Sequence, residues 1–425
     1  MSLGGARHEA LASGMPLRVA GVLLCAFGVM AAGRAEVGSP PAPDACEPGQ
    51  VVDAEFRDAA LRTFESLMLQ APGEPADGAV KAHPSPGYVD PQGQAWHYVS
   101  AYQVNLAFIG ALRIEPALAP AAARWLRWQV SHTTVTGPGR GVVFDHWVRG
   151  ADLREATCPP GRDARTCPQV DADDSTAAST LLMAEAYLRF SGDTGLLREP
   201  AVRAALESAA GTMASLAEPG GLSWAKPDHQ VAYLMDAVEV AAGWRAWAHL
   251  QTEVYQVPQA GLNSTATAAR LDAAIVKQLW HAPSQTWRVS LGATKPDFST
   301  WYPDTVAQAW PLLWGRDAGP AALQRSRAAW RKAAAQWRNK ADWSARNVDP
   351  DGFWWPAVAV AARCVGEIDS TRAWVARARL AWMPPARPFA WPFQVGDLLW
   401  LFWLADPVRS PIASDAPGLP GPPGR

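Results

Sequence analysis

Twelve stretches of helical apolar periodicity run through the chain, and the segments between them alternate long and short. The helical stretches lie near 52–70, 98–113, 117–132, 173–190, 199–216, 231–253, 264–280, 303–315, 319–338, 354–365, 369–382 and 396–405. Long segments, 71–97, 133–172, 217–230, 281–302, 339–353 and 383–395, enter the even-numbered helices. Mostly short links leave them: IEP after the second, SGDTGLL after the fourth, GRDAG after the eighth and GEID after the tenth. Short links join antiparallel neighbours, so the long loops gather at one end. The expectation is an all-α fold over 52–405, a ring of six helical hairpins forming an (α/α)6 barrel, with a cleft at the long-loop end. No convincing alternating strand interrupts the helices.

The ends of the chain read differently. Arg18 precedes the apolar run Val19–Ala32, and small residues Gly33 and Ala35 flank Arg34, the pattern of a secretory signal over 1–35. A retained anchor is the other reading of that segment. Cys25 follows Leu24, where a lipoprotein signal needs a small residue, which argues against lipidation. Residues 36–51 read as a linker, and 406–425, ending in APGLPGPPGR, as a Pro/Gly-rich disordered tail. No later segment is long and apolar enough to span a membrane, so the mature chain is expected in the periplasm or secreted, without stable membrane insertion. In that oxidising setting Cys158 and Cys167 bracket a loop that a disulfide could close, and Cys46 could pair with Cys364. Their spacing is not that of a zinc set, and nothing else requires a metal or other cofactor.

A formal net charge of -2 with interspersed signs gives no electrostatic footprint for nucleic acid. Tryptophan is the unusual residue, 22 against 7 Tyr and 11 Phe, and flat rings stack on the C–H faces of sugars. The long loops and even-helix starts also collect acids: Asp145 in GVVFDHW, Asp171, Asp173 and Asp174 in VDADDSTAAS, Asp236 and Glu239 in YLMDAVEV, and Asp304 in WYPDTVAQAW. Tyr88, Trp96, Tyr98, Trp224, Trp301, Tyr302, Trp354 and Trp391 accompany them, with His146 and Lys226 as polar candidates. Of the adjacent Trp354 and Trp355, only one can face a cleft. Acids and aromatics on one rim suit glycosidic cleavage, in which one carboxylic acid protonates the leaving oxygen and a second carboxylate activates water or attacks. There is no GxSxG elbow for a serine nucleophile.

Structural readings stand beside these. Asp173 or Asp174 could cap a helix, though capping does not explain three acids in four positions. Asp304 could cap likewise, while Gln308 one turn on suggests a wet face. Asp236 and Glu239, spaced i, i+3 on an otherwise apolar helix, need a water-filled cleft or a cationic partner such as Lys226 or Arg245.

The stretch VDADDSTAASTLLMAEAYLRFSGD resembles six-hairpin glycosidases, in which an acidic loop runs into an inner helix that ends in a TGD-like turn, here SGD at Ser191–Asp193. GLSWAKPDHQVAYLMDAVEVAAGW and WYPDTVAQAWPLLWG look like two further inner-helix entries of that superfamily, though no one subfamily is matched. The resemblance implies a glycoside hydrolase, commonly inverting, with its acid and base above the inner helices. On it Asp173, Asp174, Asp236 and Glu239 lead as acid/base candidates, with Asp145 and Asp304 behind. The implied partner is an oligo- or polysaccharide; separately, the chain is expected to be a monomer, although the sequence does not fix oligomeric state. DADDSTA also looks like the DxDD motif of class II terpene cyclases, in which Asp173 would be the proton donor, but an export signal and a short chain without QxxxGxW repeats stand against it. A non-catalytic polysaccharide-binding or assembly protein on the same barrel is the remaining reading.

Overall fold

The computed structural model describes residues 51–135, 137, 139–315 and 320–405. The signal segment, the linker apart from Val51, Cys46 and the tail after 405 lie outside the described residues.

Burial sorts the helices into two layers. α2 (Ala101–Ile114), α4 (Asp173–Ser191), α7 (Leu234–Glu253), α9 (Trp310–Leu313), α11 (Pro356–Cys364) and α13 (Leu398–Ala405) are buried over most of their surface, and in α13 every residue is buried. A helix apolar all round must sit inside. α1 (Ala54–Leu67), α3 (Ala119–His132), α6 (Pro200–Ser215), α8 (Pro258–Leu279), α10 (Pro320–Lys340) and α12 (Ile368–Trp382) bury one stripe each. In α8 the stripe is Gly261, Ser264, Ala268, Leu271, Ile275 and Leu279, the three-to-four spacing of an amphipathic helix facing a core. α5 (Thr194–Arg198) is an extra short turn within the SGDTGLL link.

The inner helices close on themselves. α2 packs on α4, α4 on α7, α7 on α9, α9 on α11, α11 on α13, and α13 returns to α2. Outside them α1 lies on α13, α3 and α6 on α4, α8 on α7, α10 on α9, and α12 on α11. This is the expected barrel of six hairpins. Two glycines set close crossings: a Cβ on Gly110 of α2 would come within 2.7 Å of the Leu399 Cα, and one on Gly243 of α7 within 2.8 Å of the Ala178 Cβ. The second half is tighter than the periodicity suggests. The expected helix 303–315 is instead a π-helical turn (Trp301–Thr305), a 3-10 turn (Val306–Ala309) and the four residues of α9.

The absence of strands is the expectation that fails. β1 (Tyr88–Val89), β2 (Ala95–Val99), β3 (His146–Arg149) and β4 (Glu155–Ala156) form an antiparallel sheet in that order, with Trp96 opposite Arg149 and Tyr98 opposite Trp147. Its strands come from the two longest loops, 71–97 and 133–172, so it belongs to the rim rather than the barrel. β5 (Trp280–His281) and β6 (Thr286–Trp287) make a second small hairpin. Among the described residues no helix is long and apolar enough to cross a membrane.

Candidate active site

The long-loop end holds a cavity of about 1090 Å³, and all six inner-helix entries contribute to its lining. α2 supplies Tyr102 and Gln103, α4 Ser175 and Thr176, α7 Asp236 and Glu239. The fourth entry supplies Tyr302 and Trp310, α11 its N-cap Trp355, and the segment before α13 Trp391 and Gln394. The rim sheet adds Tyr98 and Trp147, and the loops between add Asp145, Arg162, Asp171, Lys226 and His229.

Carboxyl groups crowd the bottom of this space. Glu239, 3% exposed, accepts 2.7 Å hydrogen bonds at Oε1 from the Tyr102 hydroxyl and the Trp310 indole N–H. Burial pushes its carboxyl up to about 8; the two donors pull it down and the neighbouring Asp236 pushes it up. Asp236, one helical turn earlier, is held well above the usual carboxylate range by burial, then by the charges of Asp174 and Asp171. Asp174 is fully buried, with Oδ1 accepting from the Ser175 amide at 2.7 Å, and burial raises it as well. A carboxyl kept protonated at neutral pH can donate a proton, which an ordinary aspartate cannot. Neither cation suggested by the sequence pairs with Asp236: Arg245 binds Asp272 on the outer helix α8, and Lys226 acts on Asp145 and Asp173.

Nearer the mouth, Asp171 is exposed within the cavity, and its charge is felt by Asp236, Asp145, Tyr98, Tyr233 and Tyr302. Asp145 is raised to about 6 by burial, with Tyr98 lowering it, Asp171 raising it, and Lys226 and Arg162 lowering it. The aromatic wall is built to be flat. Tyr302 stacks on Trp355 with ring centres 4.6 Å apart and planes 12° from parallel, and the Trp355 indole N–H donates to Asp349 at 2.7 Å. Tyr302 and Trp391 are 48% and 56% exposed, the geometry of a platform rather than a core.

Of the residues put forward from the sequence as catalytic or substrate-binding, Asp145, Asp236, Glu239, Tyr98, Lys226, Tyr302 and Trp391 line the cavity together, and Asp173, Asp174, Asp304, Tyr88, Trp96, His146, Trp224, Trp301 and Trp354 do not. Asp173 and Asp174 start α4 behind the wall, Asp173 being buried and raised to about 6 chiefly by that burial. Asp173 is therefore poorly placed as the proton donor a cyclase would need. Asp304 ties its own loop, accepting from the Asp297 amide at 2.7 Å and the Thr300 hydroxyl at 3.1 Å. The face beneath it is not wet: Gln308 is fully buried, with its amide bonded to both backbone groups of Trp287. Asp304→Ala should therefore lower unfolding free energy by about 1–3 kcal/mol in denaturant titrations, with little change in kcat.

The aromatic candidates divide in the same way. Trp96 is buried and donates to Asp90, Trp301 packs against Trp337 and Trp343, and Trp354 packs on Trp374, so Trp355 takes the cleft position. Trp224 packs against the core, and His146 is buried against Trp128 and His132. Tyr88 braces a loop through its hydroxyl bond to the Pro160 carbonyl. Cys158 and Cys167 form the expected disulfide, whereas Cys364 is buried in α11 and its expected partner is outside the described residues. The sequence reading missed Tyr102, Trp310 and Arg162, and passed over Asp171 in favour of its two neighbours. The signal for Tyr102 and Trp310 was their place in the first or second turn of an inner helix, where side chains reach the barrel mouth.

No family model matches the chain, and no curated protein matches it. Solved structures do. A glycosidase variant superposes with a TM-score of 0.54 at 13% identity, covering 84% of this chain and 98% of its own. Another glycosidase variant, solved in complex with glucose, gives 0.53 at 13% identity over the same shares. The chain thus shares the fold of these glycosidases, and that fold is the (α/α)6 barrel of six helical hairpins that its inner ring and outer layer describe.

Proposed function

We propose that this chain is an exported glycoside hydrolase acting on an oligo- or polysaccharide by carboxylate general acid/base catalysis. The observation that carries the reading is a buried carboxyl, Asp236, whose hold on its proton is strengthened by burial and by the charges of Asp174 and Asp171, sharing one aromatic-lined cavity with the exposed Asp171. Asp236 donates its proton to the glycosidic oxygen as the C1–O bond breaks, and Asp171 takes a proton from the water that attacks C1 from the other face, with inversion. Asp236 ends ionised and Asp171 protonated, and solvent restores both. Tyr302, Trp355 and Trp391 offer ring faces to the sugars on either side. The Cys158–Cys167 disulfide supports export, because such bonds persist in oxidising compartments.

The test is incubation with β-glucans, α-glucans and uronic-acid polymers, with detection of new reducing ends. At least one should be cleaved, and NMR of the first-formed anomer should show inversion. Binding to a glycan with no cleavage of any would instead favour a polysaccharide-binding protein on the same barrel.

A further inference from the structure

The loop between the two disulfide cysteines is fastened to the rim more firmly than its exposure requires. Besides the Cys158–Cys167 bridge, the Tyr88 hydroxyl donates to the Pro160 carbonyl at 2.9 Å. Gly161, at φ +84°, sits so close to the sheet edge that a Cβ there would lie 2.6 Å from the Pro91 ring and 2.8 Å from the Tyr88 oxygen. The residue fixed by all this is Arg162. It lines the cavity, with its guanidinium 4.8 Å from the centre of the Trp147 ring and 5.6 Å from that of Tyr88. Arg165, in the same loop, is spent on Asp163 at the surface. Lys226, from the loop entering α7, lines the same cavity. Both charges act on Asp145, yet neither cation is in an ion pair among the described residues.

We propose that the ligand of this cavity is an anionic glycan, and that Arg162 and Lys226 bind the carboxylate of a uronate unit. A guanidinium whose carbon sits over an aromatic ring spends no N–H on an ion pair, and its planar fork of donors matches the two oxygens of a carboxylate. Lys226 adds a point charge within the same cavity. A neutral sugar would leave two cations facing a cavity with no counter-charge but the acids of the site. The proposal rests on the hydrolase reading only for what happens after binding.

Calorimetry separates the two. The full chain carrying Asp236→Asn is titrated with oligo-glucuronates, -galacturonates and -mannuronates, and with the carboxyl-reduced counterpart of each. At least one acidic oligosaccharide should bind more tightly than its reduced form, and adding Arg162→Gln should cut that preference by about tenfold, as loss of a charge-assisted pair would. Lys226→Gln should shift it the same way. No preference for any acidic form, or a preference that survives Arg162→Gln, overturns the proposal and shows that these cations serve only the acids of the site, Asp145 and Asp173. An Arg162-dependent preference without cleavage of any glycan keeps the proposal and removes the hydrolase. Cleavage of a neutral glycan with no such preference does the reverse.

Discussion

Replacing Asp236 with asparagine is expected to lower kcat by about 1,000-fold, within the range for loss of a general acid, without lowering the melting temperature. The two outcomes together separate a reacting group from a structural one. Among the described residues Asp236 has no cationic partner, and burial together with the charges of Asp174 and Asp171 disfavours its ionised form. Asparagine keeps the shape and removes the proton that is to be transferred. A structural carboxylate in an ion pair would behave oppositely, since breaking a buried pair costs several kcal/mol. Steady-state kinetics and a thermal melt on the same preparation read both.

Stability against pH should show the other large effect. A carboxyl whose folded pKa lies above its unfolded value binds its proton more tightly in the folded state. Its contribution is therefore whole below the unfolded value near 4.5, and is lost as pH rises towards the folded one. For Glu239, raised to about 8, the window runs from about pH 4.5 to 8, and Asp174, raised to about 7, erodes stability over part of the same range. Wild-type stability should accordingly fall between pH 5 and 8 by a few kcal/mol, on the order of 1.4 kcal/mol for each tenfold difference in proton affinity between the folded and unfolded chain. Glu239→Gln should flatten much of that slope and raise the melting temperature at pH 8. Its amide oxygen can still accept from both Tyr102 and Trp310, so the substitution removes the charge without orphaning either donor. A slope unchanged in Glu239→Gln would mean that the burden of the buried charge lies elsewhere. Activity is limited from the alkaline side by the loss of a different proton, that of Asp236, which burial and the charges of Asp174 and Asp171 hold well above the usual carboxylate range.

The architecture was legible because it is written in spacing. Loop lengths pair the twelve helices into hairpins with the long loops at one end, and the even-numbered helices those loops enter are the ones the structure buries on most sides, as in α13. The rim sheet was not legible, since AWHYV and HWVR are alternations of four or five residues inside long loops, too short to stand out from irregular chain. Site residues depend on helical phase, which spacing does not fix. Asp171 precedes the N-cap Ala172 and projects into the cavity, whereas Asp173 and Asp174 are already helical and turn behind the wall. Moving a helix start by two residues, the usual ambiguity of such boundaries, exchanges one acid for another. Trp354 and Trp355 show the same limit, because an aromatic core and an aromatic cleft have the same composition, and only the α11 N-cap geometry assigns Trp355 to the cleft. Asp304 and Gln308 misled for a further reason: their polar atoms are consumed by backbone in a tight π-helical entry that periodicity reads as ordinary helix.

Whether Asp236 and Asp171 act on one glycosidic bond is decided by a crystal structure of the Asp236→Asn protein with an uncleaved oligosaccharide. The expected result places the scissile oxygen within hydrogen-bond distance of residue 236 and the Asp171 carboxylate across the anomeric carbon with room for one water. An oligosaccharide seated on the rim aromatics with no sugar linkage between these two side chains would contradict it.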